Sequence, residues 1–244
     1  MDWQDEGTLI AVRPHGESSA IVEVFTATHG LHAGLVRGGT SRKLAPVLQQ
    51  GTQLSVEWRA RLEDHIGTFR VEPIKSRSAA LMGERRALYG LGSICALLAF
   101  ALPEREPHPG LYRATQHLFD ALGTDARWPA LYLLWEKALL EELGFALDLS
   151  ECAATGATEE LVYVSPKTGR AVSRAGAGEW ADRLLPLPGL LLGEASGNPR
   201  DILDGLRTTG YFLDTWLAPA MGDRPIPAAR ARFLSLLQRE ERPA

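Results

Sequence analysis

Between residues 8 and 77, apolar and β-branched residues come in short runs with a period near two, and turn formers separate the runs. Residues 8–12 and 20–26 flank Arg13-Pro14-His15-Gly16-Glu17-Ser18-Ser19, and Thr28-His29-Gly30 is a turn before a third run at 31–36. Gly38-Gly39-Thr40-Ser41 then breaks the chain ahead of the basic pair Arg42-Lys43. Residues 44–50 carry Pro46 and read as a short helix or as an extended segment. Alternation is clearest at 52–62. Leu54, Val56, Trp58 and Ala60 share one face, while Gln53, Ser55, Glu57, Arg59 and Arg61 share the other. Residues 67–74 alternate as well, with Phe69 and Val71 leading into Pro73. Five short strands in so short a stretch predict a small closed barrel, because closure removes exposed edges.

From Ser78 onward the spacing becomes helical. Residues 79–102 predict one long helix with soft points at Gly90 and Gly92, stopped by Pro103, Pro107 and Pro109. A second helix over 110–122 carries the stripe Leu111, Ala114, Leu118 and Leu122. A third over 127–143 is marked by Leu131, Leu134, Trp135, Ala138, Leu139 and Glu142 and closes at Gly144. Three such helices would pack as a small bundle. Within 149–197 the pattern is irregular except for a hairpin, 161–165 and 170–173, turning at Pro166-Lys167-Thr168-Gly169. Leu184-Leu185-Pro186-Leu187-Pro188-Gly189 reads as an apolar loop outside regular structure. Asn198 caps a helix over 199–217 with Pro199 in its first position. A last amphipathic helix covers 225–239 with Ala229, Phe233, Leu236 and Leu237 inward. The fold class expected is α+β. A barrel occupies 1–77 and a helical domain 78–244, with an insert at about 149–197 and C-terminal helices at about 199–240.

Composition narrows the function classes. With 45% hydrophobic and 23% charged residues among 244, the chain has a globular mix. Its first twenty residues hold Asp2, Asp5, Glu6 and Glu17 and no apolar run, so no secretion signal is read there. The longest apolar stretch, 91–102, falls short of the ~20 residues of a membrane span. The expectation is a soluble, cytoplasmic protein that does not engage membranes. Cys95 lies mid-helix as a core thiol and Cys152 stands without a partner at cysteine spacing. His29 and His32 at the start of a strand would splay apart. A nucleophile elbow, a Ser-x-x-Lys pair, a phosphate loop and a dinucleotide fingerprint are all missing from the sequence. The reading is a protein without catalytic residues, cofactor, metal or small-molecule substrate.

The net charge of −4 hides an uneven distribution. Residues 37–77 carry Arg37, Arg42, Lys43, Arg59, Arg61, Arg70, Lys75 and Arg77 against only Glu57, Glu63, Asp64 and Glu72. Screening confines each field to roughly 10 Å, so a local basic strip can hold phosphates on an acidic molecule. Arg37, Arg42 and Lys43 flank the glycines after the third strand, and Arg59 and Arg61 share one strand face. On a small barrel such a strip tracks a phosphate backbone without reading bases. The alternative is a solvated sheet face whose arginines pair with Glu57 and Glu63. A second group, Arg224, Arg230, Arg232, Arg239 and Arg242, reads as one exposed helical face.

Several segments together resemble the RecO family of bacterial recombination and repair mediators. They are residues 7–19 (GTLIAVRPHGESS), 24–30 (VFTATHG), 36–42 (VRGGTSR), 135–145 (WEKALLEELGF), 152–156 (CAATG) and 163–173 (YVSPKTGRAVS), in the family's order. The resemblance implies an OB-fold barrel, a helical domain and an insert that is a zinc finger in many members. It implies binding of single- and double-stranded DNA, annealing of complementary strands, and contacts with RecR and with the acidic C-terminal tail of single-stranded-DNA-binding protein (SSB), so that RecA replaces SSB. By position, Arg37, Arg42 and Lys43 would contact phosphates, with Gly38 allowing close backbone approach; Arg59 and Arg61 are added from the strand pattern. Only Cys152 remains of the four insert cysteines. Thr155 or Gly156 stands where a second would come and 167–169 supplies none, so the zinc-finger-like hairpin is expected without metal. Arg113, Arg127 or Lys137 would meet the SSB tail. The alternative function is a repair-machinery adaptor with only indirect DNA contact, and a third is a metal-dependent hydrolase.

Overall fold

A strand of fourteen residues can serve two neighbours in succession, and β1 (Asp2–His15) does so. Its first half pairs antiparallel with β4 (Gln53–Arg59), from Asp2 opposite Arg59 to Thr8 opposite Gln53. Its second half pairs with β2 (Ser19–Thr26), with a bulge between Leu9 and Ala11. Further antiparallel pairings join β2 to β3 (Gly30–Val36) and β4 to β5 (Thr68–Lys75). A single parallel step, Leu35 opposite Thr68, closes the barrel in the order β1-β2-β3-β5-β4. The structure is a computed structural model that describes residues 1–62, 65–194 and 198–240. Glu63, Asp64 and Arg242, named above, lie outside the described residues.

The alternation read in the sequence is the packing of this barrel. Leu54, Val56 and Trp58 of β4 are buried with Leu9, Val22, Val24, Val36 and Phe69. The Trp58 indole N–H donates to the Ile66 carbonyl at 3.0 Å, so its polar tip is satisfied. Two boundaries differ from expectation. The first strand starts at Asp2 rather than Thr8, because the exposed Asp2, Gln4 and Glu6 leave Trp3 as almost the sole sign of a buried face there. The fourth strand ends at Arg59, so Arg61 sits in a bend beyond the sheet. Residues 44–49 form helical turns, with the Leu48 N–H on the Leu44 carbonyl at 2.9 Å.

The long helix expected over 79–102 is two: α1 (Arg77–Ala80) and α2 (Arg85–Ala101). The break falls at the turn containing Gly83, while Gly90 and Gly92 stay helical. Burial of Leu91, Ile94, Leu97 and Leu98 outweighs the ~1 kcal/mol that each glycine costs. Helix α3 (Pro109–Ala121) lies on the barrel: Gln116 donates to the Thr8 hydroxyl at 2.8 Å, and Tyr112 meets Phe25 edge-on at 5.4 Å. Arg77, only 4% exposed, joins α3 to the strands. It donates to Asp120 at 2.7 Å and Gln116 at 2.8 Å on the helix, and to the Gly51 carbonyl and Gln53 at 3.3 Å each. These elements form one compact unit, Met1–Thr124 with Pro227–Phe233.

The second unit comprises Asp125–Ile226 and Leu234–Ala244. Its helix α4 (Trp128–Glu142) packs on α6 (Pro199–Phe212). Their contact holds a buried polar pair, the Thr209 hydroxyl donating to Glu136 at 2.6 Å. Between them lie β6 (Leu161–Val164), β7 (Ala171–Ser173), the four-residue α5 (Arg174–Ala177) and β8 (Leu185–Pro186). The expected hairpin is β6–β7. The apolar loop at 184–189 is not wholly irregular, since β8 adds to the free edge of β6 and Pro186 is tolerated on that edge. Asn198 caps α6 as expected, accepting from the Arg200 N–H at 3.0 Å. The helix runs on through a π turn, Leu213–Leu217, into α7 (Ala218–Ala220). The last helix, α8 (Ala228–Glu240), buries Phe233 and Leu237. Its arginines are not one exposed face: Arg230 is buried, Arg224 precedes the helix, and Arg232 and Arg239 are exposed. No helix among the described residues is long and apolar enough to cross a membrane.

Candidate nucleic-acid interface

Antiparallel pairing of β4 with β5 sets Glu57 opposite Arg70 and Arg59 opposite Thr68 on the outer face of the barrel. Arg37 follows directly on β3, beside the single step that joins β3 to β5. Together Arg37, Arg59 and Arg70 line an open groove of about 480 Å³ floored by Leu44, Phe69 and Val71, with Glu57 as its one carboxylate. Three guanidinium groups against one carboxylate make the groove locally basic on a molecule of net charge −4.

Not every cation there is equally available. Arg59 donates to Glu57 in a direct ion pair. Arg70 lies 4.0 Å from Glu72, with both side chains more than 70% exposed, a separation and exposure at which a pair contributes little. Arg37 is exposed and makes no ion pair with a described residue. Arg42 and Lys43 are also exposed, on the loop just before Leu44 of the groove floor, and neither lines the groove itself. That loop folds onto the β1–β2 turn, with the Thr40 N–H on the Ser18 carbonyl at 3.1 Å and the Ser41 N–H on the Gly38 carbonyl at 2.9 Å. Gly38 adopts φ +68°, which favours glycine, and open space lies where a Cβ would point, so a ligand has access to that backbone.

The structure thus brings Arg37 and Arg59 into one groove and leaves Arg42 and Lys43 on its adjoining loop. Arg61 stands past the end of β4, exposed and outside the groove lining. Arg70, which lines the groove, was not among the site residues expected from the sequence. Its signal was available, since Phe69 and Val71 turn toward the core and alternation must turn Arg70 outward; only the packed barrel, with Glu57 across from it, shows that it shares a groove with Arg59. Of the cations suggested for the SSB tail, Arg113 is exposed on α3 in the first unit. Arg127 is tied to Asp125 at 3.0 Å at the start of α4, and Lys137 is half-buried about 15 Å further along that helix.

The insert answers the question of metal. Cys152 and Thr155 are three apart, as are Ser173 and Gly176, and these four positions converge. The Ser173 hydroxyl lies 3.3 Å from the Cys152 sulfur and 3.5 Å from the Thr155 hydroxyl, and it accepts from the Gly176 N–H at 3.1 Å. A Cβ at Gly176 would stand 2.7 Å from that sulfur. As corners for a zinc ion, these residues would offer one thiol, two neutral hydroxyls and no side chain at the fourth. That donor set does not fit a structural zinc, whose finger-type sites are closed by four thiolate or imidazole ligands. Hydrogen bonds hold these four positions together.

Two family models match the chain, "Recombination protein O N terminal" over residues 1–77 and "Recombination protein O C terminal" over 82–225. Curated relatives named DNA repair protein RecO are similar over nearly full length. That of Ruegeria sp. (strain TM1040) is 62% identical over 98% of this chain and 99% of its own. Those of Jannaschia sp. (strain CCS1) and Roseobacter denitrificans are 60% and 58% identical, each over 98% of this chain and 98% and 99% of theirs.

Proposed function

The chain belongs to the RecO family of DNA repair and recombination proteins, and from that premise we propose that it is a non-enzymatic DNA-binding and strand-annealing protein. It acts with RecR and SSB to help load RecA on single-stranded DNA. The observation that carries the binding step is the groove of Arg37, Arg59 and Arg70 with Arg42 and Lys43 beside it. The five-stranded closure in the order β1-β2-β3-β5-β4 supports an OB-fold reading, in which backbone phosphates lie along a barrel face. The converging residues of the insert support reading it as a metal-free counterpart of the zinc finger.

Annealing by this route needs no covalent step. Two like-charged strands repel, and guanidinium groups that replace condensed counterions let them approach. The competing reading, an adaptor whose barrel takes a partner's acidic segment, draws on the Glu57–Arg59 ion pair, which already satisfies one groove cation. Binding of a labelled single-stranded oligonucleotide across a salt series separates the two. The affinity should fall with salt with a slope of about −0.7 per phosphate contacted, and Arg37→Ala/Arg70→Ala should flatten that slope by about 1.4 equally for all sequences. Salt-indifferent binding, or an unchanged slope in the double variant, refutes the groove as the DNA site.

A further inference from the structure

At the end of the barrel where β1 begins, β2 turns into β3 and β4 finishes, a second pocket of about 510 Å³ opens. Its walls are aromatic. The Trp3 ring stacks on His29 at 4.0 Å with 7° between planes, and its nearly parallel neighbour Trp58 lies 5.9 Å away. His29 is held in place, its Nδ1 within 3.1 Å of Asp5 and 2.9 Å of the Thr28 hydroxyl, which itself donates to Asp5. At the rim the Arg105 guanidinium lies 6.0 Å from the Trp58 ring centre and donates to the His65 carbonyl at 3.1 Å. Arg105 takes φ +66°, unusual for a side-chain-bearing residue, and its N–H is fixed to the Leu31 carbonyl at 2.8 Å.

His32 is the unexplained group. It is 5% exposed and lines this pocket, wedged edge-on against Trp3 at 5.1 Å and Trp58 at 4.7 Å. Neither ring nitrogen meets a hydrogen-bonding partner. Burial, with Arg105 and the His29 ring nearby, lowers its pKa to about 4. The ring is therefore neutral, with one N–H to donate and one lone pair to accept, both unused. Buried polar groups left this way are rare and ask for an explanation.

We propose that this pocket receives a single unpaired nucleobase from the strand held in the Arg37–Arg59–Arg70 groove. The inference rests on the DNA-binding reading above and deepens it. A nucleobase is flat enough for the aromatic walls and carries edge donor and acceptor atoms, one of which can pair with a His32 ring nitrogen, and its phosphate is an anion for Arg105. A phenylalanine or leucine side chain would fill the walls and leave both His32 nitrogens unsatisfied. Consecutive β4 residues link the two sites, Trp58 facing the pocket and Arg59 the groove.

The test compares a single-stranded oligonucleotide with an abasic one of equal length and charge. Wild type should bind the base-bearing strand about tenfold tighter, the usual worth of stacking one base. His32→Leu and Trp3→Leu should each erase that preference and leave abasic binding unchanged, whereas Arg37→Ala/Arg70→Ala should weaken both ligands alike. Photocrosslinking of a 5-iodouracil oligonucleotide to the unsubstituted protein should label the Trp3–His29–His32 region by mass spectrometry, a readout independent of variant folding. Equal binding of both strands with a normal salt slope overturns the pocket and spares the groove. Salt-independent binding of both overturns the groove reading itself. Displacement of the crosslink by an acidic peptide ending in phenylalanine, without displacement of the oligonucleotide from the groove, overturns the base assignment in favour of a protein ligand.

Discussion

Replacing Glu57 by Gln should strengthen DNA binding. Its carboxylate pairs with Arg59 and sits directly across the strands from Arg70, so it is the one negative charge among three guanidinium groups. A phosphate resting on those arginines would lie about 6 Å from it. At the high effective dielectric of an open groove, 332/(ε·r) gives about 0.7 kcal/mol of repulsion, trimmed by screening at ordinary ionic strength. Removing it predicts about two- to threefold tighter binding from that term alone. Freeing Arg59 adds a phosphate contact and steepens the salt slope by about 0.7. Glutamine keeps the size and polarity of the side chain, so the barrel should keep its stability. Fluorescence anisotropy of a labelled oligonucleotide at four or five salt concentrations measures both quantities. Weaker binding, or an unaltered slope with intact fold, would mean that Glu57 holds Arg59 in a productive pose, and the charge-count argument would fail.

Arg77→Met should destabilise the first unit by about 2–4 kcal/mol in urea unfolding, because it strips the Gly51 carbonyl, Gln53 and Gln116 of a buried partner. Asp120→Asn should cost much less, since that carboxylate is 48% exposed and regains water; equal losses would refute the network's one-sidedness. Stability should also fall on acidification. His32 has a folded pKa of about 4 against an ordinary 6.5, so the unfolded chain binds more protons between those values. Its contribution, at most about 3 kcal/mol, is complete above pH 6.5 and is lost as pH drops toward 4. Asp5, held low by Thr28, His29 and the Glu6 N–H despite its burial, acts only below that window. Unfolding of wild type and His32→Phe at pH 7 and pH 4.5 checks this: the wild type should lose more, and parallel losses would exclude His32 as the source.

The barrel was legible because its inner face is apolar and its outer face polar, so period-two alternation at residues 52–62 and 67–74 states burial directly. The N-terminal part of β1 was not legible, since polar residues surround its single, partly buried tryptophan. The break near Gly83 was not foreseen, and Gly90 and Gly92, read as soft points, stay helical because helix propensity is weak beside packing. The edge strand β8 escaped notice because two residues have no period and owe their form to the neighbour they pair with.

Among functional residues, composition and order along the chain determined that cations concentrate in 37–77 and that one cysteine stands in the insert. Which of those cations share a groove was decided by how the strands close, which sets Arg70 across from Glu57, lines one groove with Arg37, Arg59 and Arg70, and leaves Arg61 beyond the sheet. The same holds for Ser173 and Gly176 with Cys152, and for His32 with Trp3 and Trp58. A side chain's chemistry and its local period are written in its own stretch of chain. Proximity between residues twenty or more positions apart depends on how strands close and turns fold, and only the packed molecule contains that information.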